Sequence, residues 1–416
     1  MPLSWNEGNP SMACIVQKYG GSSVADLDKI LKIAEMIARI KQQDMDVAVV
    51  VSAMGKTTNH LVDMARSISP KPPRREMDML LSTGERITMS LLCMALNKLG
   101  VESVSLTGSQ CGIITNDRHN DAQVIEVRPF RVQDELAEGK VVVVGGFQGV
   151  SYKRDITTLG RGGSDTTAVA LAAALDAERC EIYSDVDGVY SADPSVVADA
   201  RHLPEISYPV MQEMSAAGAK VLNAQAVQFA KEKQIAIYAG STFDRRKETV
   251  VRKIAPGMVV GVQAVVSEKV ITRVRIKGQT ALSDFSWAAD FLEQEQVPIK
   301  EVHVADVSDD PTTSRASFIL SSPNIYGWEE IKKKMEHRLG HAIQFDTQLS
   351  ALSLIGEGLN RDNGTLLTTI ALMEQHGIQI AGVTTTSFRI SILVPREKID
   401  ESVRLCHGKW VTDSFS

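Results

Sequence analysis

A chain of 416 residues, 44% of them hydrophobic and 23% charged, is long enough to bury a large core and to divide into two or three domains. The net charge of −6 argues against a nucleic-acid surface, and the absence of any run of about 18 apolar residues argues against a membrane span. The five cysteines form no C-x-x-C pair and the eight histidines show no ligand spacing. The sequence therefore predicts reduced thiols and no structural metal site.

The chain begins with a polar tail at residues 1–12, followed by a first domain at residues 13–253 in which apolar strands alternate with amphipathic helices. Several strands are apolar nearly throughout, which is typical of a parallel sheet covered on both faces. The pattern predicts an α/β sandwich. The clearest predicted strands are Val47–Val51, Val101–Leu106, Lys140–Val144, Cys180–Ser184 and Ile235–Tyr238. The predicted helices include Glu85–Leu99, Asp165–Leu175 and Lys220–Lys233.

The rhythm of the sequence changes after a predicted linker at residues 254–268. Two successive β-α-β-β-α units follow, at residues 269–340 and 341–416. This order of elements is that of ferredoxin-like modules. The sequence thus predicts a large α/β domain followed by two small ferredoxin-like modules.

The most informative loop is Lys18–Ser23, with the sequence KYGGSS, which follows the apolar strand Ala13–Val16 and precedes a helical pattern. Paired glycines let a ligand approach the backbone closely, and amide groups at a helix start attract anions. Lys18 adds a full positive charge. This combination suits a phosphate ligand, although most Gly-Gly pairs are ordinary turns.

A second glycine-rich loop, Leu159–Asp165 with the sequence LGRGGSD, leads into a helix of small residues. Three glycines and a helix N-terminus again form a cradle for an anion. Arg161 is suited to gripping a carboxylate or a phosphate through two hydrogen bonds. The alternative is a plain turn in which Ser164 or Asp165 caps the helix.

A third loop, Ser184–Pro194, follows a predicted strand, and open α/β sheets bind ligands at the carboxyl ends of their strands. Asp185 and Asp187 superficially resemble a calcium loop. The EF-hand pattern fails, because Val189 and Val196 occupy two of its ligand positions. Solvated turn residues are the alternative interpretation.

The segment Gly55–Thr57 resembles the end of a Walker A loop. That motif requires an earlier glycine, and Val50 stands there inside a strand, which disfavours a P-loop kinase. Ser52 and Thr58 still lie at the edge of the sheet where a ligand would bind.

Two charged residues are predicted at helix starts. Glu85 begins an apolar helix, where the helix dipole is the usual reason for a carboxylate. Lys220 opens another predicted helix, where a positive charge is unfavourable and invites an anion. An exposed surface lysine is the alternative there.

Taken in chain order, these loops resemble those of the aspartate kinases in the amino acid kinase superfamily. The two C-terminal units resemble the tandem ACT modules with which such enzymes sense amino acids. The matching segments of the first domain are Lys18–Val24, Val50–Gly55, Glu76–Arg86, Gly145–Gly149, Thr157–Ala170, Ile182–Pro194 and Gly218–Leu222.

The resemblance implies a three-layer α/β/α amino-acid-kinase sandwich with a mainly parallel sheet. It also implies phosphorylation of the β-carboxylate of L-aspartate by ATP and Mg²⁺, giving 4-phospho-L-aspartate, the first step of lysine, threonine and methionine synthesis. Lys18 would act on the phosphoryl group, Arg161 on an aspartate carboxylate and Glu85 on the aspartate amine. The alternatives are a sibling kinase acting on glutamate, acetylglutamate or a nucleotide, and a non-catalytic amino-acid sensor.

The resemblance carries over to individual positions of this sequence, and it implies no metal ligand among them. The implied ATP-binding residues are Lys18, Tyr19, Gly20, Gly21, Ser52, Ser184, Asp185, Tyr190, Ser191, Ala192, Asp193, Pro194, Ser195 and Lys220. The implied substrate-binding residues are Thr58, Glu85, Arg161, Gly162, Gly163 and Ser164.

The two ACT modules differ in the loop between the first strand and the first helix. Gly278–Asp284 lacks the Asp-x-Pro-Gly-like turn usual in the family, whereas Gly356–Gly364 keeps a closer likeness. One effector site is thus expected to be altered or lost, and the effector to be lysine, threonine or both. Because ACT modules pair side by side, we expect a homodimer or larger assembly. The expected location is the cytoplasm, without a nucleic-acid or membrane partner.

Overall fold

The computed structural model of the chain describes residues 13–160, 162–255, 260–305 and 315–412, which form two units. The first unit contains the chain up to Val189, with His202–Ser215 and Lys220–Ile254. The second contains Tyr190–Arg201, Ala216–Ala219 and the chain from Ala255 onward. The predicted tail at residues 1–12 lies outside the described residues.

The first unit is built on an eight-stranded sheet with the strand order β12-β14-β13-β9-β1-β2-β6-β3. All neighbouring strands in it are parallel except β13 and β14. The strands up to residue 252 are β1 (Cys14–Tyr19), β2 (Asp46–Val51), β3 (Ser103–Leu106), β4 (Ile113–Thr115), β5 (Val124–Val127), β6 (Val141–Gly145), β7 (Gln148–Ser151), β8 (Ile156–Thr158), β9 (Arg179–Ser184), β10 (Val189–Tyr190), β11 (His202–Leu203), β12 (Glu205–Ser207), β13 (Ile237–Ser241) and β14 (Glu248–Arg252).

Helices cover the central strands, whose residues are buried almost without interruption. α1 and α4 pack on the face formed by Ile15, Val49 and Val143, and α6 packs on β1, β2 and β9. The predicted α/β sandwich with a mainly parallel sheet is confirmed. The helices are α1 (Leu27–Lys41), α2 (Thr57–Ile68), α3 (Arg74–Leu81), α4 (Thr83–Lys98), α5 (Phe130–Ala137), α6 (Gly163–Ala174), α7 (Tyr208–Ala216) and α8 (Ala224–Lys233).

Several elements of the first unit differ from the sequence prediction. The helix expected at Lys220–Lys233 begins only at Ala224, because the Asn223 side chain caps it by accepting from the backbone N–H of Gln225 and Ala226. Lys220 therefore precedes the helix and is exposed. The small sheet β5-β4-β7-β8 was not predicted, since its strands have only three or four residues each and are too short to show a period.

α3 and α4 form one continuous helical stretch, Arg74–Lys98. By length and composition alone, this stretch could cross a membrane. Of its most apolar window, 56% is buried inside the structure. Leu92 and Leu96 are fully buried against the sheet. This stretch therefore packs as a core helix.

The second unit contains two four-stranded sheets, in the orders β17-β18-β16-β19 and β15-β20-β22-β21, and their strand pairs are antiparallel. The strands are β15 (Gly261–Glu268), β16 (Thr272–Lys277), β17 (Lys300–Ala305), β18 (Arg315–Leu320), β19 (Ile343–Asp346), β20 (Leu349–Glu357), β21 (Gly382–Thr385) and β22 (Arg389–Pro395). The helices are α9 (Ala281–Gln294), α10 (Trp328–Leu339), α11 (Gly364–Gln375) and α12 (Ile399–His407), with short helical turns at Ser322–Asn324, Gly340–Ala342, Arg396–Lys398 and Gly408–Thr412.

Both sheets have the ferredoxin-like strand order, but the chain is divided between them differently from the prediction. The predicted linker at residues 254–268 contains β15, which pairs with β20 and completes the second module. The predicted second module starts at residue 341, yet β19 pairs with β16 of the first. The first module is therefore inserted between β15 and the rest of the second. Buried Ala264 and Val265 explain why β15 joins a sheet.

The segment Tyr190–Arg201 also departs from the predicted boundaries. It falls within the predicted first domain, but it packs in the second unit. Ala192 and Val197 belong to the same hydrophobic cluster as Val265 and Leu352. The side-chain contacts that recruit this segment come from residues distant in sequence.

The position of β15 in the core of the second module can be tested by measuring the stability of variants. We expect Val265→Ala, which truncates a fully buried side chain, to lower the free energy of unfolding of the second unit by about 2 kcal/mol. Val270→Ala between β15 and β16, where the side chain is 41% exposed, should change it by less than about 0.5 kcal/mol. Urea unfolding followed by tryptophan fluorescence measures this, because Trp287, Trp328 and Trp410 all lie in the second unit. Equal effects of the two substitutions would contradict a core position for β15.

Candidate active site

The parallel strands bring the predicted loops of the first unit to one edge of the sheet. β1 pairs in register with both β2 and β9, and β2 pairs with β6, so the carboxyl ends of these four strands are aligned. The loops that follow begin at Gly20, Ser52, Gly146 and Asp185. Open α/β sheets bind ligands at such an edge.

A buried ion pair joins the end of β1 to the start of α6. Lys18 Nζ lies 2.6 Å from Asp165 Oδ1, and the two side chains are only 11% and 9% exposed. Lys18 comes from the penultimate position of β1, and Asp165 from the first turn of α6. The N-cap of α6 is Gly162, so Asp165 does not cap the helix. Asp165 instead holds the lysine at the edge of the sheet, where an arriving anion can share its charge.

Hydroxyl groups continue the cluster beside this pair. Ser52 Oγ donates to Ser164 Oγ at 3.1 Å, which links the end of β2 to the first turn of α6. Gly146, after β6, runs so close to Ser164 that an added Cβ would lie 2.9 Å from its Cβ and Oγ. The structure thus brings together Lys18, Ser52 and Ser164, which the sequence predicted as site residues.

The loop glycines differ in how much space a side chain would have. A Cβ on Gly21 would lie 3.0 Å from the carbonyl oxygen of Ala53, and one on Gly162 would lie 2.5 Å from the Asn223 side chain. Packing alone therefore favours glycine at these two positions. A Cβ on Gly20 would make only ordinary contacts at 3.5 Å, one of them with Lys18 Nζ. No packing contact in the described part of the chain therefore requires glycine at position 20.

Glu85 is a buried carboxyl group at the same edge. It lies in the first turn of α4 and is 3% exposed, and its Oε1 accepts a hydrogen bond from the backbone N–H of Ala53 at 3.1 Å. Within the described part of the chain its Oε2 has no partner. Burial raises the pKa of Glu85 to about 7, and the backbone hydrogen bonds counteract this only in part. A buried carboxyl group of this kind can bind a cation or a hydrogen-bond donor of a ligand.

The other predicted site residues lie as follows. Arg161 is outside the described residues. Tyr19 is fully buried and stacks on Tyr183, with ring centroids 5.4 Å apart, so its ring faces the core. Thr58 is half-buried in the first turn of α2. Gly163 starts α6, and a Cβ on it would lie 2.7 Å from Leu159 Cβ.

The residues predicted on the nucleotide side divide between the two units. Ser184 ends β9 and Asp185 is exposed just after it, in the first unit together with Lys220. Tyr190–Ser195 belongs to the second unit. There the hydroxyl of Ser191 is buried, 2.8 Å from His407 Nε2, and accepts from the backbone N–H of Arg201. The Ser191 side chain is thus engaged inside the protein.

Two features of this region were missed by sequence analysis. One is the role of Asp165 as partner of Lys18, although the sequence singled it out as a possible cap. The other is Asp78 in α3, a carboxylate with no exposed surface that receives hydrogen bonds from the Thr158 hydroxyl and the backbone N–H of Asn120. An aspartate within the apolar run Met77–Leu81 was the available signal.

Among the residues that the structure describes, no group of three or more His, Cys, Asp or Glu side chains is arranged to hold a metal ion. Magnesium in kinases is held by one or two carboxylates together with substrate phosphates. The loops offer exposed Asp185 as such a carboxylate. This donor set fits an ion that is bound mainly by a nucleotide and water.

Comparison with known proteins identifies the family. A sequence model described as the amino acid kinase family matches residues 13–239. An aspartokinase of Mycolicibacterium smegmatis is 41% identical over 404 residues, which covers 95% of this chain and 96% of the relative. One of Geobacillus stearothermophilus is 37% identical over 402 residues, covering 95% and 97%. The chain belongs to the aspartokinase family.

Solved aspartokinases share its fold. The structure of E. coli aspartokinase III in complex with aspartate and ADP, described as the R-state, matches with a TM-score of 0.81 and 23% identity, covering 95% of this chain and 99% of that one. Aspartate kinase from Synechocystis matches with a TM-score of 0.54 and 33% identity, covering 95% and 69%. The prediction that this aspartokinase-family chain is an aspartate kinase enzyme is confirmed.

The burial of Glu85 predicts a dependence of stability on pH. A carboxyl group whose pKa rises on folding from 4.5 to about 7 stabilises the fold fully below pH 4.5, and this contribution is lost as the pH rises through about 7. We expect the melting temperature of Glu85→Gln to fall less than that of the wild type between about pH 5 and about pH 8. Calorimetry measures both. Glu76→Gln, at an exposed position in α3, is the control and should follow the wild type. Parallel curves for all three proteins would contradict the raised pKa.

Proposed function

We propose that the enzyme transfers the γ-phosphoryl group of ATP to the β-carboxylate of L-aspartate, giving 4-phospho-L-aspartate and ADP. The observation that carries this proposal is the Lys18–Asp165 pair, 2.6 Å apart and buried at the carboxyl edge of a parallel sheet beside Gly20. E. coli aspartokinase III, which shares the fold, is described with aspartate and ADP bound. We carry both ligands over to this chain on that basis.

The reaction brings two anions together, so the site must neutralise charge and fix geometry. A β-carboxylate is already ionised at neutral pH, and therefore no general base is needed. Lys18 supplies a positive charge to the phosphoryl group in transfer. Asp165 fixes the ammonium group of Lys18 in direction, and the N-terminus of α6 adds backbone N–H groups that favour an anion.

Glu85 and Arg161 would hold the amino acid. The Oε2 atom of Glu85 is buried and without a partner in the described part of the chain, and the ammonium group of aspartate would supply one. Such a cation favours the ionised form of Glu85 and repays the cost of its burial. We assign Arg161 to an aspartate carboxylate, because a guanidinium group binds a carboxylate through two hydrogen bonds. Thr58 and Ser164 would lie beside the same substrate.

We assign the nucleotide to Gly20, Gly21, Ser184 and Asp185 at the carboxyl ends of β1 and β9, together with Lys220 and the segment Tyr190–Ser195. Mg²⁺ would enter with the phosphates and offset their charge, with Asp185 as its protein carboxylate. The side chains of Tyr19 and Ser191 are engaged in internal contacts, so their part in this assignment rests on the backbone.

The activity is tested directly by an aspartyl-hydroxamate assay with ATP and Mg²⁺, with glutamate as the competing substrate. We expect turnover of aspartate and none of glutamate. Lys18→Met should lower kcat by roughly a hundredfold or more, because a charge that acts in the transition state is lost. It should leave the KM for ATP nearly unchanged.

A second variant separates chemistry from stability. Lys18→Met alone leaves Asp165 as a buried unpaired charge, which costs about 3–5 kcal/mol of stability. The double variant Lys18→Met/Asp165→Asn removes that charge and should recover stability while kcat stays low. Recovery of kcat together with stability would mean that Lys18 is only structural. Normal turnover of Lys18→Met, or preference for glutamate, would overturn the proposal.

We further propose that this reaction is the first step of lysine, threonine and methionine synthesis, that it takes place in the cytoplasm, and that an end-product amino acid inhibits it through the second unit. Support for a lysine effector comes from E. coli aspartokinase III, whose T-state is described with lysine and aspartate. A homodimer or larger assembly is supported by the edge strands β17 and β21, where Val302, Val304 and Val383 are exposed.

The packing of Tyr190–Arg201 suggests how an effector signal would travel. The backbone N–H of Val265 donates to the Ser191 carbonyl, and Ser191 Oγ meets His407 of α12 at 2.8 Å. Along the chain, this segment follows directly on the loop after β9. This segment therefore continues the chain from the proposed nucleotide loop into the core of the second unit.

The two effector loops are distinguished by a matched pair of variants. Asp362, in the loop before α11, accepts from the backbone N–H of Gly364, and Asp284 stands at the start of α9 in the first module. We expect Asp362→Ala to weaken inhibition by lysine or threonine at least tenfold, a loss of about 1.4 kcal/mol of binding. Asp284→Ala should leave inhibition unchanged, and both variants should keep the uninhibited kcat. Loss of inhibition only in Asp284→Ala would assign the effector to the other module.

A further inference from the structure

A buried hydrogen-bonded group lies behind the glycine-rich loop Leu159–Gly163. At its centre is Asp78, which has no exposed surface. His119 Nδ1 lies 2.6 Å from Asp78 Oδ2, and the backbone N–H of Asn120 donates to Oδ1 at 3.0 Å. The hydroxyl of Thr158 donates to the same Oδ1. Burial raises the pKa of Asp78, and these hydrogen bonds act in the opposite direction.

The side-chain amide of Asn120 adds to the group when it is oriented to suit its neighbours. Its nitrogen then donates to Asp78 Oδ1 at 2.8 Å and to the carbonyl of Arg74 at 3.2 Å. Two separate segments of the chain, the loop at residues 119–120 and the end of β8, thus meet on one carboxylate of α3.

The two segments that Asp78 holds also enclose the start of the loop. The backbone N–H of Ala122 donates to the carbonyl of Thr158 at 2.9 Å. Gly160 has a positive φ of 71°, and a Cβ there would lie 2.8 Å from Asp121 Oδ1. The loop then turns into α6 through a hydrogen bond from the N–H of Gly163 to the carbonyl of Gly160 at 3.1 Å. The backbone that leads into residue 161 is therefore held from the Asp78 side.

We propose that Asp78, His119 and Thr158 are positioning residues for aspartate binding, which act by holding the loop Leu159–Gly163 in place. The inference rests on the proposed function, in which this loop presents Arg161 to an aspartate carboxylate. A bidentate clamp tolerates little displacement, because both of its hydrogen bonds depend on the same orientation. Loss of the group should therefore weaken aspartate binding and leave ATP binding unaffected.

β8 offers a matched pair of substitutions. Thr157 and Thr158 are adjacent and both fully buried, but Thr158 donates to Asp78 whereas Thr157 pairs with the hydroxyl of Thr115 at 2.6 Å. Thr158→Val and Thr157→Val each remove one buried hydroxyl of the same strand. We expect Thr158→Val to raise the KM for aspartate roughly tenfold, with the KM for ATP within about twofold. Thr157→Val should change neither, although both variants lose melting temperature.

Two further variants make the test specific. Thr158→Ser keeps the hydroxyl and should restore the KM for aspartate. Arg161→Ala should raise that KM, and adding Thr158→Val to it should have little further effect, because both act through one contact. Equal KM values for Thr158→Val and Thr157→Val would overturn the inference, even where Arg161→Ala upholds the clamp. An effect of Thr158→Val with none of Arg161→Ala would support positioning by the loop and reject the role of Arg161.

Discussion

The ion pair between Lys18 and Asp165 is the interaction on which the rest of the site depends. A lysine at the penultimate position of a central strand is costly to bury, and the Asp165 carboxylate 2.6 Å away offsets this cost. That carboxylate comes from α6, so β1 and α6 must pack in one register for the pair to exist. α6 begins at a glycine with no capping side chain, so no N-cap side chain competes with an anion at its start.

Two other buried carboxyl groups lie on the continuous helical stretch Arg74–Lys98. Asp78 and Glu85 are seven residues apart, close to two turns, and thus share one side of the stretch. Asp78 is fully provided with hydrogen-bond donors and holds neighbouring loops, whereas Glu85 keeps one oxygen without a partner in the described residues. The same kind of burial therefore serves structure in one case and a candidate ligand contact in the other.

In the second unit, two similar modules are joined by a strand insertion and by a shared hydrophobic cluster. The first module is inserted after β15, and the second closes its sheet with that earlier strand. Ile271 and Ile319 of the first module share a buried cluster with Leu349 and Leu393 of the second. The segment Tyr190–Arg201 adds to the core of the second module. Both modules and this segment are thus linked by packing as well as by the chain.

Much of this protein was determined by the sequence itself. The buried runs of β1, β2, β6 and β9 predict a parallel sheet, because strands covered on both faces must be apolar throughout. Loops at their carboxyl ends meet at one edge by geometry, which is why Ser52 and Asp185 could be expected at the same edge. Ser164 was named from the resemblance. The resemblance of these loops to aspartate kinases gave the family, and the comparisons confirm it.

Tertiary structure alone decided which polar groups find each other. Thr158 and Asp78 are 80 residues apart, and no local pattern links them. The start of α8 moved to Ala224 because Asn223 caps it, and the short strands β4, β5, β7 and β8 exist only through pairing. β15 and Tyr190–Arg201 joined the second unit because apolar side chains are buried by whichever partner folds against them. The periodicity of apolar residues predicts which residues are buried, but the partner of each depends on contacts across the whole chain.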